Sequence, residues 1–186
     1  KRENGRALLS TYGALSLGQY KEGGMLGQVV VLDADTTAKA LLDALKETNI
    51  QSKNVVVGIP SISCIIFILQ LPAAIDEANL PQVVPAESKK FIPVPIEDVS
   101  LDWYVIPRRE DSGIASRVVA ESGGEAMMSV LVVATLNETL VKYTDVLQKT
   151  GLANDSLEIV IFSHIRSTLT RELFPVLIID IGASKT

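Results

Sequence analysis

Phe174-Pro175-Val176-Leu177-Ile178-Ile179-Asp180-Ile181-Gly182-Ala183-Ser184-Lys185-Thr186 ends the chain and carries its most informative pattern. Four branched apolar residues in a row, Val176 to Ile179, predict a strand buried on both faces. A carboxylate, Asp180, then a glycine, Gly182, and the small or hydroxylated Ala183, Ser184 and Thr186 follow. That order suits a strand running into a phosphate-binding hairpin. Glycine lets backbone N–H groups approach an anion, hydroxyls donate to phosphate oxygens, and a carboxylate at a strand end holds a hydrated Mg²⁺. Taken alone, the motif also fits an ordinary β-turn with Gly182 at positive φ. The chain ends inside this motif, so it reads as a piece of a larger protein.

The 186 residues suffice for one large domain or two small ones. With 47% apolar and 21% charged residues, the composition is globular. A mean hydropathy of +0.30 raises the question of a membrane span. Cys64–Leu69 and Val130–Ala134 are the longest apolar stretches, far too short to cross a bilayer as a helix, so buried strands account for the value. The formal charge is −5, and the absence of a basic, aromatic-laced cluster argues against nucleic acid as the main partner. The single Cys64, in an apolar run, reads as a buried small hydrophobe, and one cysteine permits no internal disulfide. His164 is the only histidine and reads as a helix residue without a catalytic part.

Along the chain, Gly5–Leu17 and Gly27–Leu32 read as strands flanking a Gly-rich turn. Thr36 or Thr37 then caps a helix with Ala38, Leu41, Leu42 and Leu45 on one face, stopping near Asn49. Asn54–Ile59 and Ile62–Leu71 are strands. Pro81 and Pro85 restrict the next helix, which starts near Pro81 and runs through Glu87 to Lys90. Ile92-Pro93-Val94-Pro95 ends it and must be extended. Val99–Ile106 and Met127–Leu136 follow as strands. Asn137 caps a helix with Leu140, Val141, Thr144 and Leu147 on one side, and Gly151 is its C′ residue. Leu157–Ile161 reads as a strand and Ser163–Leu173 as a helix. The flanks do not complete a sheet by themselves, so a compact insertion within a split α/β domain explains the order best.

Three blocks in this order carry a family resemblance: Leu71-Pro72 before an acidic stretch; Glu87-Ser-Lys-Lys-Phe-Ile-Pro-Val-Pro-Ile-Glu-Asp-Val99; and Leu101-Asp102-Trp103-Tyr104. The chain resembles PilM, the actin-like protein of type IV pilus assembly, over nearly its whole length. The resemblance implies an α/β (α+β) fold. Residues 1–60 would form a partial actin-like (RNase H-like) subdomain, called 1A, with its first strand missing. Residues 61–158 would be an inserted subdomain 1C of the SHS2 type, and 159–186 the return to 1A. Val176–Thr186 resembles the second phosphate motif of the superfamily, which makes Asp180, Gly182, Ala183, Ser184 and Thr186 contacts for ATP, with Asp180 holding Mg²⁺ through water. The first phosphate motif is expected before Lys1 and the adenosine-binding glycines after Thr186. ATP and Mg²⁺ are therefore expected on the full-length parent, and this piece is expected to bind none and to be inactive.

The resemblance also implies a partner, the N-terminal cytoplasmic segment of a PilN-like inner-membrane protein, docked on the prolyl wall Ile92, Pro93, Val94 and Pro95. The simpler reading of those four residues is a turn from helix to strand. Glu87, Lys89, Lys90, Glu97 and Asp98 read as a solvated face. Location would be cytoplasmic, at the inner face of the membrane through partners, and nucleotide turnover slow or incidental. Two alternatives stand beside this scaffold: an FtsA-like division protein, which the Ile-Pro-x-Pro block speaks against, and a small-molecule kinase of the same superfamily, for which no substrate site is evident. Pro81 and Pro85, where this family has good helix formers, and Trp103, where Tyr or Phe is common, are departures.

Overall fold

The computed structural model describes residues 2–3, 6–7, 9–107, 126–169 and 176–179. The strands are β1 (Arg2–Glu3), β2 (Arg6–Ala7), β3 (Asn54–Ile59), β4 (Cys64–Pro72), β5 (Val99–Ile106), β6 (Met127–Leu136) and β7 (Ala153–Ile159). The helices are α1 (Ala34–Glu47), α2 (Leu80–Ser88), α3 (Asn137–Thr150) and α4 (Val160–Thr168). The chain divides into two units, one made of Lys1–Ile59 with Val141–Thr186, the other of Pro60–Leu140.

In the first unit α1 starts one turn earlier than the sequence predicts. Asp33, not Thr36 or Thr37, is its N-cap: the Thr36 N–H donates to Asp33 Oδ1 at 2.8 Å, and the Thr36 hydroxyl to Oδ2 at 3.0 Å. A carboxylate at this position satisfies an orphan helix N–H more strongly than a hydroxyl does. The same bonds hold the Asp33 carboxyl below its ordinary pKa. At the other end Asn49 takes a left-handed φ of 52°, with Asn49 N–H on the Lys46 carbonyl and Ile50 N–H on that of Leu45. This is a Schellman closure. Gly151 repeats it after α3, at φ 67°, with Leu152 N–H on the Leu147 carbonyl.

β3 and β7 form a parallel pair from Asn54↔Ala153 to Ile59↔Ile159, with one irregularity between Val55 and Val56. Parallel neighbours need a long crossover, and everything from Pro60 to Leu152 lies within it. The sequence reading placed the return to the flanking unit at residue 159. In the structure Val141 onward already groups with the N-terminal block. Tyr143, Val146 and Leu147 of α3 line a cavity together with α1 and β3, and Lys149 Nζ bonds Asp35 Oδ1 at 2.6 Å. Within α3, Val146 and Leu147 are buried while Val141, expected on the apolar side, is exposed.

Several expected strands are not formed. Leu9–Ser16 has no regular structure, Leu17–Tyr20 is a 3-10 turn, and Gln28–Asp33 and Val176–Ile179 lie outside any strand. Val29, Val31, Leu177 and Ile179 are exposed. Apolar β-formers become a strand only against a neighbouring strand, and among the described residues these runs have none. β7 begins four residues before the predicted Leu157, and α4 covers 160–168 rather than 163–173.

The second unit runs strand, helix, strand, strand, with sheet order β4-β6-β5, antiparallel throughout. Alternation sends Leu69, Leu71, Val130 and Val132 to one face, where Leu80 and Val84 of α2 cover them. Trp103 packs against this cluster while Tyr104, one residue on, is 63% exposed. α2 stops at Ser88, short of the predicted Lys90. Pro81 sits in its first turn, where it is tolerated, but Pro85 lies inside the helix.

Candidate functional site

The expected phosphate contacts Asp180, Gly182, Ala183, Ser184 and Thr186 lie outside the described residues. Among the described residues no cluster of His, Cys, Asp or Glu is placed to hold a metal ion. A cavity of about 490 Å³ lies inside the first unit, lined by Leu15, Leu17, Leu41, Leu45, Val57 and Leu147 among others. Its lining carries no charged side chain. It suits an apolar group and offers a triphosphate no counter-charge.

The expected partner wall is described in full. α2 is followed by a turn in which Phe91 N–H donates to the Ser88 carbonyl at 2.9 Å. Ile92 then points inward, 6% exposed, and anchors the segment. Pro93, Val94 and Pro95 are on the surface, Val94 at 36%. The four predicted residues therefore split into one core anchor and three surface groups. Sequence reasoning missed Phe91. It is 51% exposed and stacks on Phe67 of β4, ring centroids 4.9 Å apart and planes 17° from parallel. An exposed aromatic beside prolines was the available signal.

The far side of the segment is fastened by hydrogen bonds. Asn137, read as a helix cap, is the first residue of α3. Its Nδ2 donates to the Glu97 carbonyl at 2.9 Å, and the Ser100 hydroxyl donates to its Oδ1 at 2.8 Å. Glu87 and Lys90 pair at 2.6 Å on the exposed side. An exposed pair of this kind contributes little to stability. The result is a ledge of Phe91, Pro93, Val94 and Pro95 tied at both ends by hydrogen bonds, with φ fixed at the two prolines. Little ordering entropy remains to be lost when something binds it. No helix among the described residues is long and apolar enough to cross a membrane.

Residues 22–186 match the family described as type IV pilus assembly protein PilM. The chain belongs to that family. Among solved structures, this PilM-family chain is similar to the "PilM-PilN type IV pilus biogenesis complex", at 21% identity and a TM-score of 0.59, over 75% of this chain and 39% of that one. That likeness shows a mixed α/β fold similar to PilM, an actin-like fold. The cytoplasmic domain of EpsL, an inner-membrane component of the type II secretion system of Vibrio cholerae, aligns at 18% identity and a TM-score of 0.45, over 74% of this chain and 48% of that one. The chain thus spans less than half the length of either. None of the curated proteins compared with it matches.

Proposed function

We propose that this PilM-family chain is part of a cytoplasmic scaffold for type IV pilus assembly, and that it docks a short cytoplasmic segment of a PilN-like inner-membrane protein on the ledge formed by Phe91, Pro93, Val94 and Pro95. The family match over 22–186 carries the reading. It is supported by the likeness to a chain solved in a PilM-PilN complex and by the preorganised ledge. In this reading the Pro60–Leu140 unit corresponds to an inserted SHS2-type 1C subdomain, since it has the strand-helix-strand-strand order, and the other unit to part of 1A. The parent protein binds ATP and Mg²⁺, with Asp180, Gly182, Ala183, Ser184 and Thr186 on one side of the phosphates. The backbone N–H groups and hydroxyls of this turn would orient the polyphosphate, and Asp180 would hold, through water, the Mg²⁺ that offsets its charge. Membrane association is peripheral, through the partner. The family match favours neither the division-protein nor the kinase alternative.

Isothermal calorimetry of the chain with a synthetic peptide of the PilN-like cytoplasmic segment tests the docking. Val94→Asp should weaken binding at least about tenfold, by placing a charge against an apolar contact, with the circular dichroism unchanged. A peptide that fails to bind, or binds both proteins alike, refutes the ledge. For the nucleotide, the full-length parent should bind ATP with Mg²⁺ and this chain poorly; tight binding by this chain would contradict a half-built site.

A further inference from the structure

The sheet of the Pro60–Leu140 unit has two edges, and they differ. On β5 the N–H of Trp103 is taken by the neighbouring Asp102 carboxylate, Oδ1 at 2.9 Å. A charged side chain folded onto an edge blunts it against further pairing. β4 has no such device. Cys64-Ile-Ile-Phe-Ile-Leu-Gln-Leu-Pro72 contains no charged residue, and its only proline is the last.

The register shows which β4 amides are free. Ala73 N–H donates to the Ala126 carbonyl at 2.7 Å, continuing the β4–β6 pairing in which Leu71 faces Met128 and Leu69 faces Val130. Bonded and non-bonded pairs alternate in an antiparallel ladder. Ile65, Phe67, Leu69 and Leu71 therefore bond to β6, and Cys64, Ile66, Ile68 and Gln70 turn their N–H and C=O groups away. Pro72, which has no N–H to offer, falls in the outward set, as a ladder requires. At the two ends the Cys64 N–H is taken by the Ser61 carbonyl and the Pro72 carbonyl by the Ile75 N–H. Among the described residues the outward groups of Ile66, Ile68 and Gln70 have no backbone partner.

Side chains flank this edge on both faces. On one, Phe67 carries the stacked Phe91. On the other, Ile68 is 50% exposed and stands in one row with Leu131 and Tyr104 across the three strands. An added strand alternates its side chains, so one set would lie beside Phe67 and Phe91 and the other beside Ile66 and Ile68.

We infer that the outer edge of β4 accepts an extended segment of a partner polypeptide as a fourth strand, apolar at alternate positions and basic at its ends. The charge follows from the surroundings. In this unit Asp76, Glu77, Glu87, Glu97, Asp98, Asp102 and Glu138 outnumber Lys89 and Lys90 among the described residues. A second copy of the chain would bring its own formal charge of −5 against this surface, which opposes self-pairing. The inference rests on the partner-docking reading above and specifies its mode: main-chain bonds along β4, with the prolyl ledge beside them.

Amide hydrogen exchange on the isotope-labelled chain tests it. The probes are the synthetic PilN-like cytoplasmic peptide and an analogue N-methylated at alternate amides. Ile66, Ile68 and Gln70 should exchange freely without peptide and at least about tenfold more slowly with it, each gaining a backbone partner. The N-methylated analogue, which keeps every side chain but loses donors, should bind at least about tenfold more weakly. Ile68→Pro removes an outward donor without touching the β6 ladder, and should weaken binding likewise. Binding without that protection, with both peptides equally tight, overturns strand addition and leaves the docking reading standing. No binding overturns both. Protection in the free chain that grows with its own concentration assigns the edge to a second copy and overturns the inference.

Discussion

Ser88 is fully buried at the end of α2, and its Oγ has no hydrogen-bond partner among the described residues. An orphaned hydroxyl in an apolar site destabilises the fold, so Ser88→Ala should raise stability by about 1 kcal/mol in urea unfolding. A loss of similar size would mean that the hydroxyl is bonded after all. Arg166 pairs with both carboxylate oxygens of Glu158, one at 2.6 Å, and joins α4 to β7. That bond holds the Glu158 carboxyl below its ordinary pKa and the Arg166 guanidinium above its own. A carboxyl with a lowered folded-state pKa stabilises the fold above its unfolded pKa, and the gain is lost as pH falls through the folded value. Arg166→Met should therefore melt at a lower temperature than the natural chain at pH 7. The gap should close in acid, below the ordinary carboxylate range. A gap independent of pH would show that packing of the arginine stem, not the ion pair, matters here.

At the scale of elements, α2 is the weak member. Nine residues carry Pro81 in the first turn and Pro85 in the interior. Pro85 cannot donate to the Pro81 carbonyl, and its ring crowds that carbonyl. Pro85→Ala should stabilise the chain by up to about 3 kcal/mol, read from the urea midpoint. A loss instead would show that the ring packs against the sheet. The helices α1 and α3 are closed in the same way, by a left-handed residue and a Schellman pair of bonds. Glycine fills that position after α3 and asparagine after α1, the two residues that bear positive φ most easily.

At the scale of the molecule, the apolar cluster of the Pro60–Leu140 unit joins β4, β6 and α2 through Leu69, Leu71, Leu80, Val84, Val130 and Val132. Leu69→Ala leaves a cavity where three elements meet and should cost about 2–5 kcal/mol by chemical denaturation. A change under about 1 kcal/mol would mean that the site collapses around the smaller side chain. The flanking unit carries exposed apolar runs at 29–31 and 176–179, and among the described residues its parallel sheet has two strands, β3 and β7. Two strands are a marginal sheet in water.

Local chemistry alone determined much of this. Continuous apolar or aromatic-rich runs located β4, β5 and β6, the i, i+3, i+4 spacing located α1, glycine placed the end of α3, and the Ile-Pro-x-Pro block with its acidic turn pointed to the family. Each of these signals is complete within a dozen residues. The runs at 27–32 and 176–179 look like strands in sequence, but strand formation depends on a neighbour that sequence does not supply. Likewise, only the folded structure separated Ile92 from its three surface neighbours, brought Phe67 under Phe91, and left one edge of the sheet charge-free while Asp102 closed the other. Those outcomes depend on residues far apart in the chain meeting in space.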